Sequence, residues 1–292
     1  MTYDRRKFLK QSGLLATAFT LGNSALKAFG EEANTNKALK QFGLQLWTIK
    51  DALGKDVPGT LKQVSSFGYK QIEGFEGGKG VFWGMKNTEF KKLMDDLGMS
   101  FISSHCNINK DFEQKAAQAA EIGMKYLICP YLGPQKTLDD YKKAAVKFNE
   151  CGEICKKNGI RFAYHNHGYS FTQLENVYPQ DIFMQNTDAS IVDYEMDIYW
   201  VVAVGQDPVA WMQKYPNRFR LCHVKDRKKD AGPKDMDASC ELGTGSINFP
   251  SLLKPGKKQG LQYYIVEQEK FENSTSMKSA EIDADYMKKL SV

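Results

Sequence analysis

The sequence is short of the features that mark several protein classes. Its six cysteines, Cys106, Cys129, Cys151, Cys155, Cys222 and Cys240, form no CxxC pair. Cys151 and Cys155 stand at helical i, i+4 spacing, and three of the others lie in apolar, strand-like runs. That pattern excludes a zinc knuckle or a dithiol redox motif and predicts free core thiols. No apolar run beyond residue 22 is long enough to span a bilayer, which takes about 20 residues. No repeat, low-complexity tract or linker divides the chain. Net charge is also scarce. Residues 1–30 hold five Lys/Arg against one Asp/Glu, so the rest carries 35 basic and 34 acidic residues. A nucleic-acid partner is therefore not expected, because neutralising phosphates needs a basic face.

What is present begins with "YDRRKFLKQSG", in which Arg5 and Arg6 precede Phe8, Leu9 and Lys10, followed by the short apolar stretch "LLATAFTLG". This resembles a twin-arginine export signal, with "AFG" at 28–30 as a cleavage site. The reading divides the chain into a signal peptide at 1–30, a short extension at 31–40 and one domain at 41–292, and implies a periplasmic or otherwise exported protein.

The domain alternates two patterns. Short apolar or aromatic runs occur at 42–48, 71–75, 100–106, 126–132, 161–167, 191–199, 220–226 and 263–269. Amphipathic stretches such as "TEFKKLMDDLG" and "FEQKAAQAAEIG" lie between them. Gly68, Gly98, Gly123, Gly159 and Gly260 stand where helix C-caps are expected. Eight strand–helix units predict an α/β fold, a (β/α)8 TIM barrel. The competing doubly wound sheet would carry a GxGxxG turn after its first strand, and "LWTIKDALG" has none.

Polar residues collect at one end of these units. All four histidines, His105, His165, His167 and His223, fall near the ends of predicted strands, as do Glu73, Asp197, Lys225 and Glu267. Period two places His165 with His167, Glu195 with Asp197, His223 with Lys225, and Glu267 with Glu269 on shared faces. Burying so many ionisable groups calls for a compensating charge, and imidazoles with carboxylates suit one divalent ion, Mn²⁺, Mg²⁺, Co²⁺ or Zn²⁺. Such an ion can polarise a carbonyl and stabilise an enediolate, which is the chemistry of sugar isomerisation.

The ordered segments "YHNHGYSF", "YEMDIYW", "HVKDR", "LGTGSINF" and "YYIVEQE" resemble the sugar phosphate isomerase/epimerase family with its xylose isomerase-like barrel. The resemblance implies metal ligands at the ends of strands five to eight. Asp197, His223 and Glu267 match three of them, and His165 stands where the related ketose epimerases have Glu. Two positions depart from related patterns. Ser170 replaces a Glu common after the HNH motif, and Trp200 replaces a second His. With the two-carboxylate relay of the epimerases in question, proton transfer falls to His167, Glu73, Lys225 or Glu267, with His167 the first choice. His105, Trp47, Trp200 and Arg227 are the expected substrate contacts, and Phe75 and Trp83 are further aromatic candidates.

The implied activity is proton abstraction beside a carbonyl of a small carbohydrate, leading to isomerisation, epimerisation or β-elimination, with export disfavouring a phosphorylated substrate. A metal phosphodiesterase on the same barrel and a non-catalytic sugar-binding subunit with a decayed site are the alternatives. Self-association is left open.

Overall fold

The computed structural model describes residues 38–292, and the export signal read at 1–30 lies outside the described residues. Eight parallel strands close into a barrel. They are β1 (Gly43–Gln45), β2 (Gln71–Phe75), β3 (Ser100–His105), β4 (Tyr126–Cys129), β5 (Arg161–His165), β6 (Val192–Asp197), β7 (Phe219–Val224) and β8 (Tyr263–Val266). Each pairs with its sequence neighbours, and β1 closes on β8 through Gly43–Ile265 and Leu44–Val266. This is the predicted (β/α)8 barrel. An added two-stranded ribbon pairs Asp226–Arg227 with Ser239–Cys240 beyond the end of β7.

Every strand run is followed by helix, from Val57–Phe67 after β1 to Ser276–Lys289 after β8. Their starts are set by side chains that satisfy otherwise orphaned backbone donors. Asp56, Thr137 and Thr275 accept from Gly59, Asp140 and Lys278 N–H at 3.0, 3.2 and 3.2 Å. At the other end, all five expected C-cap glycines hold φ between 64° and 103°, the left-handed region that turns the chain back towards the barrel. The barrel unit also reaches further upstream than the sequence boundary at 41. Ala38 bridges Ser291, and Leu39 N–H donates to Leu290 O at 2.9 Å.

Two apolar layers support this frame. The large one lies between strands and helices and includes Leu44, Phe90, Phe148, Phe162, Val224 and Met287. The smaller one plugs the barrel itself with Ile102, Tyr126, Ile128, Ala163, Leu221 and Ile265. Above that plug, at the C-terminal ends of the strands, the interior turns polar with Gln45, Glu73, Ser103, His105, His165, Glu195, His223 and Lys225, all buried. The six cysteines are buried and unpaired, as expected.

Candidate active site

The strands stop earlier than the apolar runs suggest, and the chemistry begins where they stop. β5 ends at His165, β6 at Asp197 and β7 at Val224, one residue past His223, while Glu267 follows β8 directly. His223 is the hub. Its Nε2 lies 2.8 Å from Glu73 Oε1, and its Nδ1 lies 3.1 Å from Glu267 Oε2 and 3.7 Å from Asp197 Oδ2.

Two overlapping donor groups share this imidazole. Asp197, His223 and Glu267 have donor atoms within 4.8 Å of one another, and so do His105, His165, Glu195 and His223. His165, expected beside Asp197, stands between the two groups. Its Nε2 is 3.8 Å from Asp197 Oδ2 while its Nδ1 is 3.2 Å from Glu195 Oε2. Glu195 also meets His105 Nε2 at 2.8 Å, so His105 belongs to the cluster as well as to the cavity wall. Glu195 shared a predicted face with Asp197, but its central place was not assigned from sequence.

The donor set fits a divalent cation. Asp197 Oδ2 is buried without a hydrogen-bond partner, 3.7–3.8 Å from His223 Nδ1, Lys225 Nζ and His165 Nε2. Donors held at about 2.1 Å around one ion stand about 3.0–3.4 Å apart, close to the spacing seen. Lys225 Nζ already faces that oxygen as an ion pair at 3.7 Å, too far to hydrogen-bond, so the lone pairs of Oδ2 stay free for an ion.

Asp197 is aimed by two devices. Its Oδ1 caps the helix Ile198–Ala203 by accepting from Trp200 N–H at 3.3 Å, which turns Oδ2 towards the interior. Its backbone is clamped by Asn166, which accepts from Asp197 N–H at 3.1 Å and donates to Asp197 O at 3.2 Å. The middle residue of HNH therefore positions a group on the neighbouring strand.

Electrostatics follow from burial and proximity. Burial opposes protonation of His105, but Glu73 and Glu195 overcome it and raise the imidazole to about 9. Burial and the Glu73 carboxylate push Glu195 up to about 7. Glu267 is held well below the carboxylate range despite burial, because Lys225 and His223 face it. Lys225 is raised in turn by Glu267, Asp197 and Glu269, again against burial. Burial lowers His167 to about 4, so its imidazole is neutral at physiological pH.

A cavity of about 850 Å³ opens above the cluster, lined by His105, His165, His167, Glu267 and Glu269 with aromatic walls from Trp47, Phe75, Tyr131 and Trp200. His167 sits in that wall, its ring centroid 5.0 Å from Tyr131 and 5.3 Å from Trp200, with Nδ1 buried and unpartnered. Three expected site residues are placed differently. Glu73 lies below the cavity, its carboxylate bound by Gln45, Ser103 and His223, so it does not reach the space expected of a catalytic base. Lys225 is buried among Asp197, Glu267 and Glu269 rather than at the cavity wall. Arg227, expected among the substrate contacts, is buried and spends its guanidinium on Tyr199 Oη and the carbonyls of Gly232 and Asp235, tying down the ribbon loop. The aromatic candidate Trp83 packs edge-on to Phe75 behind the wall.

Fold and site together define a barrel enzyme class with a polar, ion-competent centre at the strand ends. Residues 61–290 match the xylose isomerase-like TIM barrel family, and the chain belongs to that family. A sugar phosphate isomerase/epimerase from Parabacteroides distasonis ATCC 8503 is 31% identical, with a TM-score of 0.73 over 89% of this chain and 97% of that one. An inosose dehydratase of Clostridium tetani is 31% identical over 98 residues, 33% of this chain and 32% of its own length. The chain thus spans about a third of that curated relative. The IOLI protein, solved with a zinc atom, shares the fold at 15% identity and a TM-score of 0.69, covering 86% of this chain and 99% of that one.

Proposed function

We propose that this protein is a divalent-metal-dependent enzyme that abstracts a proton beside the carbonyl of a sugar or cyclic polyol, with isomerisation, epimerisation or elimination as the outcome. The observation that carries the reading is the unpartnered, buried Asp197 Oδ2, set beside His223 and near His165 and Glu267, the last two of which also line the 850 Å³ cavity. The relatives named as inosose dehydratase and as sugar phosphate isomerase/epimerase support it. His165, Asp197, His223 and Glu267 would hold the ion. Bound there, it supplies a Lewis acid for a substrate carbonyl and the resulting enediolate.

The protein's own groups divide the remaining work. His167, neutral and facing the cavity, takes the proton from the carbon beside the carbonyl. Glu269 lines the same cavity, and burial and the nearby Glu267 push its carboxyl upward; it is the acid–base group placed to serve a departing oxygen if elimination follows. Lys225 balances Asp197 and Glu267 and keeps their oxygens in place. Trp47, Phe75 and Trp200 offer apolar faces to a pyranose or cyclohexane ring and exclude water.

The test combines elemental analysis with proton NMR in D₂O on inosose and on 3-oxo-glucose. One equivalent of metal and metal-dependent deuterium uptake beside the carbonyl are expected. A metal-replete protein that exchanges neither substrate would overturn the proposal.

A further inference from the structure

The sequence singled out the glycine-rich segment "LGTGSINF" after the seventh strand, and the proposed chemistry does not use it. In TIM barrels, loops near strands seven and eight commonly bind substrate phosphate through backbone N–H groups. Here those donors are already engaged. The carboxylate of Asp226, fully buried, accepts from the N–H groups of Arg227, Gly243, Gly245 and Ile247 at 2.8, 2.9, 3.0 and 3.1 Å. The approach is so close that a Cβ on Gly245 would lie 2.3 Å from Asp226 Oδ1. The anion that fills this nest belongs to the chain itself.

The cavity is also poorly suited to a charged ligand. Among the described residues, Lys110 is the one lysine or arginine on its wall, against Glu76, Glu267 and Glu269. Yet the space is large, near the top of the range of about 300–1,000 Å³ common to ligand sites, and it continues. A second pocket of about 390 Å³ shares Trp47, Trp200 and Glu269 with it and adds Lys50, Met236, Asp237 and Lys270. Trp47 is 39% exposed, an unusual state for tryptophan unless something stacks on it. The charges around it are matched. Lys270 pairs with Asp237 at 2.7 Å, and Lys50 Nζ stands 3.9 Å from the Trp47 ring centroid. An aromatic platform ringed by balanced donors and acceptors is what a neutral, polyhydroxylated ring requires.

We infer that the second pocket is a subsite for a second, uncharged sugar ring, so that the substrate is an unphosphorylated glycoside of at least two rings. The inference rests on the proposed carbohydrate activity and narrows its substrate class. The first ring lies over His167 and the ion-binding floor, and the second stacks at Trp47 with its hydroxyls towards Lys270 and Asp237.

Calorimetric titration of the Mn²⁺-loaded protein with glucose, glucose 6-phosphate, cellobiose, maltose, trehalose and sucrose tests this. At least one disaccharide should bind about tenfold more tightly than glucose, and in Trp47→Ala and Lys270→Ala that ratio should fall below about threefold. Glucose 6-phosphate should bind no more tightly than glucose. Glucose binding with every disaccharide ratio near one overturns the subsite alone, as does a ratio that survives both substitutions. Tighter binding of glucose 6-phosphate overturns the uncharged substrate. A metal-loaded protein that binds none of these sugars overturns the inference, while deuterium uptake on inosose and 3-oxo-glucose decides separately whether the activity on which it rests stands.

Discussion

The Asp197 carboxylate is split between two tasks: Oδ1 accepts from the Trp200 N–H at 3.3 Å and starts a helix, while Oδ2 is left buried without a hydrogen-bond partner. Trp200 stands where the epimerase pattern has a second histidine, so its backbone aims the carboxylate while its indole forms the wall.

Asp197→Ala should therefore lose the metal, from one equivalent to below about a tenth, because the remaining donors no longer balance the ion's charge. Glu195→Gln should retain it. Elemental analysis of both variants separates the two overlapping donor groups, and the opposite pattern would place the ion with Glu195, His105 and His165.

Asn166→Ala removes two buried hydrogen bonds to the Asp197 backbone and strands their partners. A loss of about 2 kcal/mol in urea unfolding is expected, together with a fall of about 10- to 100-fold in metal affinity. Unchanged affinity with the same loss of stability would reduce Asn166 to a purely structural tie.

His167→Gln should keep the metal and lower kcat by about 10² to 10⁴. Deuterium exchange at the substrate carbon should fall in parallel. Wild-type exchange in this variant would rule out His167 as the base.

Asp283 offers a pH test away from the site. Burial, with Glu241 and Asp226 nearby, raises its carboxyl well above the ordinary value, although Leu242 N–H donates to Oδ1 at 2.7 Å. A carboxyl raised in the folded state favours folding below its unfolded pKa of about 3.9, and that contribution is lost as pH rises through the folded value. Asp283→Asn keeps the acceptor and removes the charge. It should raise stability by on the order of 1 kcal/mol, about 2–4 °C in Tm, and more at pH 8 than at pH 5. Equal shifts in thermal scans at the two pH values would contradict this.

The N-terminal reading is tested in cells. Replacing Arg5 and Arg6 together by Lys should trap the precursor in the cytoplasm, as seen by fractionation and immunoblotting. Normal export of that variant would refute a twin-arginine signal.

The barrel was readable because strand period, helix period and C-cap glycines all agree, and the glycines at 68, 98, 123, 159 and 260 adopt the positive φ their spacing implied. Strand ends were read too far, by three residues at β1, β4 and β8; at β8 the overrun is Glu267, Gln268 and Glu269, polar residues that follow the strand without a turn signal. Glu73 and Glu195 were harder to place for a definite reason. Period two assigns each a face but not its partners, and those partners, His105 and His165 for Glu195 and Gln45, Ser103 and His223 for Glu73, come from other strands. The Asn166 clamp joins residues 31 apart, and the Arg227 guanidinium is engaged by the fold of its own ribbon loop together with Tyr199 on another segment. No spacing within one strand encodes them.

The Asp226 carboxylate has a further consequence for the chain between it and Ile247. By gripping the N–H groups of Arg227, Gly243, Gly245 and Ile247, one side chain ties both ends of the intervening excursion to the barrel rim. The entropy of closing a loop grows only slowly with its length, by about 0.6 kcal/mol per doubling. Once its ends are pinned, the excursion carrying Met236 and Asp237 can vary in length at little entropic cost so long as it still offers carbonyls to the buried Arg227, and what the barrel accepts can then change without rebuilding the barrel.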